Sequence, residues 1–299
     1  MAVTLVNTAN VTDNGTFELL NGTLTQFGEF NAVTTAVVGG VTYVFGTGFT
    51  DDGVSVFSLA ADGTLTNVAV VGGNVTDTEG FDELFLNGAV TVTTAVISGT
   101  TFLFVGGAVD DGISVFSVSA TDGHLTNVFN LADTEVAGEL FLDGVASLTA
   151  ALIGGVTYLY AVGADDDGVS VFSVSAAGVL TPVQNVSGLS EPRGLHIATV
   201  ATTPFLFIAN VGNDIVLSNV INPGIGTITN ADAVVDNATL QLDGAVSVTS
   251  ALVGAKTFAF VAGSSESVTF GGISVFDVAA NWSLNNVFNQ PDNASLFLG

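Results

Sequence analysis

The chain has no cysteine, two histidines and only two basic residues, Arg193 and Lys256, in 299 positions. Without cysteine there is no disulfide framework, and the redox compartment cannot be read from bridges. A zinc cage of His and Cys is excluded by count. A phosphate-binding surface needs clustered Lys and Arg, so nucleic acid is excluded as a partner, and binding to anionic membranes fails by the same argument. No stretch combines helical periodicity with caps. Apolar runs are broken by Gly and Thr well short of bilayer length, so no membrane insertion is expected. The opening Met1-Ala2-Val3-Thr4 lacks the basic start and apolar core of a secretory signal. An extracellular or cell-surface location, which the composition suggests, would then need a route whose signal is not N-terminal here.

What the chain does have is a repeat. Gly-(Val/Ile)-Ser-Val-Phe-Ser occurs at Gly53, Gly112 and Gly168, with a close variant at Gly272 and a degenerate copy at Asp214-Ile215-Val216-Leu217-Ser218. The intervals of 59, 56, 46 and 58 residues are those of a propeller or similar array that copies one supersecondary unit. Turn residues divide each unit into four strands. In the first, apolar runs stop at Gly39-Gly40, at Asp51-Asp52-Gly53, at Ala61-Asp62-Gly63 and at Gly72-Gly73, pairs that supply the positive φ of tight hairpins. Strands such as Val54-Ser55-Val56-Phe57-Ser58-Leu59 are apolar on both faces, which requires sheets packed on both sides. The expected fold is therefore all-β, a β-propeller of four-stranded blades with five blades, in one domain over 1–299. The units fall at about 31–76, 90–133, 146–187, 192–232 and 245–290, with 1–30 as an extra terminal strand and linker.

The ends are redundant. The segment 4–10 with 17–22 matches the fourth-strand and linker pattern, and 283–289 with 296–299 is a second copy. One copy closes the last sheet. The spare strand is expected either to dock on its own ring or to add to a neighbour's sheet edge; the latter gives head-to-tail self-association into a filament. From this comes the expectation of a structural or adhesive subunit without chemistry of its own.

Acidic residues number 28, for a formal charge of −26. They cluster between second and third strands, at Asp51 and Asp52, Asp110 and Asp111, and Asp165, Asp166 and Asp167. A second set lies between units, at Asp77, Glu79, Asp82 and Glu83 and at Asp133, Glu135, Glu139 and Asp143. Such a collar invites calcium, which takes six to eight oxygens at relaxed geometry, and the seven hairpin aspartates are the expected ligands. Yet none of the loops has EF-hand or β-roll spacing, and Asp also favours tight turns without any metal. A calcium-assisted carbohydrate-binding propeller is the rival function on this basis. Of the aromatic residues 22 are Phe, one is Trp282 and three are Tyr; the phenylalanines, such as Phe57, Phe116, Phe172 and Phe276, are expected in the core. Eight Asn-x-Ser/Thr sequons are present.

The fourth unit departs from the rest. Glu191-Pro192-Arg193-Gly194-Leu195-His196-Ile197-Ala198, then Phe205-Leu206-Phe207-Ile208-Ala209-Asn210, resembles the repeat of lactonase-like and YVTN-type β-propellers. The Val-Ser-Val-Phe strand extends that likeness in weaker form over most of the chain. The resemblance implies a propeller and admits a lactonase-like hydrolase without carrying the activity over, because such folds host enzymes and binding modules alike. Glu191, Arg193 and His196 form the one local cluster of acid, cation and base and are the candidate catalytic residues. The alternative is that Arg193 pairs with carboxylates and His196 packs on its strand. His124, in Asp122-Gly123-His124, is expected to be an exposed turn residue.

Overall fold

In the computed structural model the described residues are 18–20, 23–25, 30–68, 73–77, 84–133, 140–237, 239–264, 271–279 and 281–291. Every element among them is a strand. Contacts group the chain into two compact units, 1–132 with 176–179, and 133–175 with 180–299.

Each sheet is a four-stranded antiparallel meander. Blade 1 holds Phe30–Val38, Val41–Gly48 and Gly53–Leu59, and its outer strand is split into Leu65–Asn67 and Val75–Thr76. Blade 2 holds Ala89–Ile97, Thr100–Gly107, Gly112–Val118 and Leu125–Ala132. Blade 3 holds Val145–Ile153, Val156–Gly163, Gly168–Val174 and Leu180–Ser187. Blade 4 holds Pro192–Val200, Thr203–Asn210, Ile215–Ile221 and Ile228–Val235. Blade 5 holds Ala245–Val253, Lys256–Gly263, Gly272–Val278 and Leu284–Pro291. A separate hairpin pairs Glu18–Leu20 with Thr23–Thr25. Blade 5 is thus completed by the C-terminal copy of the duplicated strand. The N-terminal copy at 4–10, and the strand exchange expected of it, lie outside the described residues.

The third strands are buried on both faces, as their composition requires: Phe57, Phe116, Phe172 and Phe276 are each at most 1% exposed, a burial of about 2–3 kcal/mol apiece. In the first unit one core joins Val38, Phe45 and Val56 of blade 1 to Val92, Leu103 and Phe116 of blade 2. In the second, Tyr160 and Val171 of blade 3 pack with Leu206 and Ile221 of blade 4, and Phe205 and Phe207 of blade 4 with Val261 and Phe276 of blade 5. The Tyr160 hydroxyl donates to the Gly226 carbonyl at 2.8 Å, and burial pushes its phenol above the ordinary range.

Two bulges recur. One sits near the start of every first strand, as between Ala89 and Thr91 or Pro192 and Gly194. The other interrupts the pairing of third and fourth strands in blades 2 to 5, as at Val115/Phe116. In blades 2 and 5 an asparagine fills it: Asn127 donates to Val115 O and exchanges amide hydrogen bonds with Asn130, as Asn286 does with Val275 O and Asn289. Asn67 makes the same set in blade 1, with Val56 O and Asn74.

The degenerate motif is corrected by one residue. Val216 pairs with Ala209 as Ile113 pairs with Gly106, so Asp214 corresponds to Asp111 and not to Gly112. The backbone agrees: Asp52, Asp111, Asp167 and Asp214 all have φ between 50° and 57°. That left-handed turn tolerates Asp better than most side chains.

Candidate functional site

The acidic hairpins have a structural task within each unit. Asp52 Oδ1 accepts the N–H of Gly88 at 2.9 Å, and Asp110 Oδ2 that of Asn87 at 2.8 Å. Asp77 bonds the N–H of Leu86. Three successive amides of the linker entering blade 2 are thereby held by three carboxylates. Further along, Asp133 Oδ2 accepts from Leu142 N at 3.0 Å and Asp166 Oδ2 from Asp143 N at 2.7 Å. Asp167 Oδ1 accepts from Glu191 N, and Asp214 Oδ1 from Gly244 N, each at 2.8 Å. The motif serine adds a fourth tie: Ser114, Ser170 and Ser274 accept the N–H of Phe85, Phe141 and Gln241, all at 2.8 Å. The carboxylates crowd one another as they do this. Asp77 is held above the ordinary carboxylate range by partial burial and then by Asp110. Asp166 is raised by partial burial and then by Asp133 and Asp143.

Among the described residues no three His, Cys, Asp or Glu side chains are placed to hold a metal ion. Of the seven aspartates expected to bind calcium, Asp52, Asp110, Asp166 and Asp167 spend oxygens on backbone N–H groups. The Asp51 backbone carbonyl accepts from the Thr76 hydroxyl, Asp111 occupies the left-handed turn position, and Asp165 lies against Gly144. Glu79, Asp82, Glu83, Glu135 and Glu139 lie outside the described residues.

The structure redistributes the catalytic candidates. Glu191 is exposed, with φ +44°. Arg193 is the extra residue of the bulge that starts the first strand of blade 4, and it is exposed. Among the described residues no hydrogen bond or ion pair joins Glu191, Arg193 and His196. His196 instead meets Ser250 of the first strand of blade 5, with Nε2 2.9 Å from Oγ. Burial lowers the imidazole pKa from its usual 6.5 and so favours the neutral ring; in the tautomer with its proton on Nδ1, Nε2 accepts from the serine hydroxyl. A serine hydroxyl on a neutral imidazole is the minimal nucleophile and base pair. The first-strand position of His196 is Thr34, Thr93, Thr149 and Thr249 in the other blades. That substitution within the repeat was the available signal, and Ser250 itself gave none. His124 stays in its turn, 3.6 Å from Asp122.

A cleft of about 690 Å³ opens at the other end of these strands, lined by Thr199, Thr203, Leu252, Lys256, Asp277 and Trp282 among others. Lys256 and Asp277, on adjacent strands of blade 5, form an ion pair in its wall.

No protein-family model matches the chain, and no protein of curated function matches its sequence. Solved structures match its fold. A functionally unknown protein from Desulfotomaculum acetoxidans superimposes with a TM-score of 0.61 at 14% identity, over 90% of this chain and 72% of its own. The periplasmic gluconolactonase of Pseudomonas aeruginosa gives 0.58 at 14%, over 83% and 66%. An exo-beta-1,3-galactanase of Phanerochaete chrysosporium with beta-1,3-galactotriose gives 0.50 at 10%, over 93% and 67%. At these identities the likeness is one of fold, and it agrees with an all-β propeller of five four-stranded blades. It also overturns an expectation: two of these three structures are enzymes, so the view of this chain as a scaffold without chemistry is withdrawn.

Proposed function

We propose that the chain is a propeller hydrolase of lactones or related oxygen esters, with His196 as general base and Ser250 as nucleophile. The observation that carries this is the 2.9 Å contact between His196 Nε2 and Ser250 Oγ, on an imidazole whose pKa burial lowers. Ser250 Oγ attacks the lactone carbonyl while His196 Nε2 takes its proton. The ring oxygen then leaves, taking that proton back from the imidazolium, and a serine ester remains. Water, deprotonated by the same imidazole, attacks the ester; Ser250 Oγ leaves, taking the proton back from the imidazolium, and the hydroxy acid is released. Arg193 places an exposed positive charge on the strand that carries His196, suited to the oxyanion and to the carboxylate product.

The resemblance of blade 4 to lactonase-like repeats and the fold shared with a gluconolactonase support the substrate class. A panel of five- and six-membered lactones and aryl esters, followed by pH-stat, tests it. Turnover is expected to fall at least about a hundredfold in both His196→Ala and Ser250→Ala. Turnover that survives His196→Ala rejects the assignment.

A further inference from the structure

Blade 5 breaks the repeat at three positions, and all three line one cleft. Where the third and fourth strands join, four blades place a glycine with positive φ: Gly63, Gly123, Gly178 and Gly226. Blade 5 places Trp282 there, at φ +76°. The motif's final serine, which in Ser58, Ser117 and Ser173 donates to a carbonyl of the outer strand, is Asp277. The first residue of the second strand, Val41, Thr100, Val156 or Thr203 elsewhere, is Lys256. Lys256 and Asp277 form an ion pair.

The cleft lies where blade 5 lacks the glycine that is tightly packed in other blades. A Cβ on Gly123 would lie 2.2 Å from the Tyr43 ring, and one on Gly226 would lie 2.3 Å from the Tyr158 ring. In those blades the hairpin closes directly on an aromatic residue of the preceding blade, leaving no room for a side chain. In blade 5 that position carries Trp282, which is 46% exposed and lines a cleft of about 690 Å³ between the hairpins of blades 4 and 5. That volume is in the range of small-molecule sites. A bulky residue in the left-handed region costs about 1–2 kcal/mol, and an observed backbone outlier of this kind points to function.

We propose that this cleft binds a single neutral sugar ring, stacked on Trp282 and held at its edge by Asp277 and Lys256. The exposed indole supplies the apolar platform. The ion pair supplies one acceptor and one donor group for ring hydroxyls, with Thr199 and Thr203 nearby. The pair leaves the cleft locally neutral, while the formal charge of −26 repels anionic ligands at long range. A neutral ring is therefore favoured over a uronate or a sugar phosphate. The site does not involve His196 or Ser250 and is independent of the hydrolase reading.

Trp282 is the only tryptophan, so its fluorescence reports the site directly. Methyl pyranosides of galactose, glucose and xylose are titrated to about 50 mM, enough to saturate millimolar sites, with glucuronate as the anionic comparison. Expected is a saturable emission change with at least one neutral glycoside, at least tenfold weaker for glucuronate, and at least tenfold weaker in Asp277→Ala. Calorimetry on Trp282→Gly, which restores the residue of the other four blades, is expected to lose the binding while circular dichroism shows an intact fold. Three results overturn the proposal: no saturable response to any neutral glycoside, equal affinity for glucuronate, or undiminished calorimetric binding in folded Trp282→Gly.

Discussion

Asp52 accepts the N–H of Gly88 at 2.9 Å, tying a hairpin of one blade to the linker that enters the next. A charged acceptor on a half-buried amide is worth about 1.5–3 kcal/mol. Asp52→Ala is expected to lose about 1–2 kcal/mol by urea unfolding, whereas Asp52→Asn, which keeps a carbonyl acceptor and tolerates the turn, loses less than half of that. Equal losses would mean that the bond is not what Asp52 contributes.

Ser170 is fully buried and accepts the Phe141 N–H at 2.8 Å. Ser170→Ala leaves that amide without its acceptor, at a cost of about 1–3 kcal/mol. Ser173→Ala removes only a 3.4 Å contact at a more exposed position and is expected to change stability by less than about 0.5 kcal/mol. Thermal melts of the two variants side by side check the contrast.

Asp77 is held above the ordinary carboxylate range by partial burial and by Asp110. For an acid whose folded pKa is raised, the stability it contributes is full below the unfolded value, near 3.9, and is lost as pH rises through the folded value. Asp77→Asn keeps a carbonyl for the Leu86 N–H and gives Asp110 a donor in place of a like charge. Its melting temperature is expected to exceed that of the parent by about 1–3 °C at pH 7, the difference closing below about pH 4. A difference that grows on acidification would reverse the sign and reject the account.

His196 has its pKa lowered by burial, and the proposed base must be unprotonated. The kcat/KM of lactone opening is expected to rise with pH through a single ionisation below the usual 6.5 and to be flat from about pH 7 upward. An ascending limb above pH 7 would exclude this imidazole as the base.

The parts of the fold that were legible are those written in turn chemistry. Gly39-Gly40, Asp51-Asp52-Gly53 and their copies mark strand ends to within a residue or two, because few side chains tolerate the positive φ found there. Blade 4 was misaligned by one position, since Asp214-Ile215-Val216-Leu217 lies on Gly-(Val/Ile)-Ser-Val when Asp214 takes the place of the glycine, whereas the pairing of Val216 with Ala209 and the left-handed turn at Asp214 put Ile215 there. The tasks of the aspartates were not legible: composition records their charge, whereas their acceptors' partners are backbone amides brought up by the next linker. His196 stood out as a residue type. Its partner Ser250 did not, because the two are 54 residues apart and meet only when the first strands of neighbouring blades come together.

Trp282 gives a test of backbone strain that is separate from ligand binding. Trp282→Gly and Trp282→Ala both delete the indole and whatever packing it makes, so their difference isolates the cost of a Cβ at φ +76°. Gly enters the left-handed region freely, whereas Ala does so at about 1–2 kcal/mol, partly offset by the greater entropy glycine loses on folding. Trp282→Gly is therefore expected to be more stable than Trp282→Ala by about 1 kcal/mol in urea melts. The same substitution in a closed lock is far more severe. Gly226→Ala meets both the positive φ and the Tyr158 ring, 2.3 Å from the new Cβ, and a loss of about 3 kcal/mol or more is expected. If Gly226→Ala costs no more than the difference between the two Trp282 variants, the hairpin of blade 4 is not locked against Tyr158, and the contrast with the blade 5 cleft is lost.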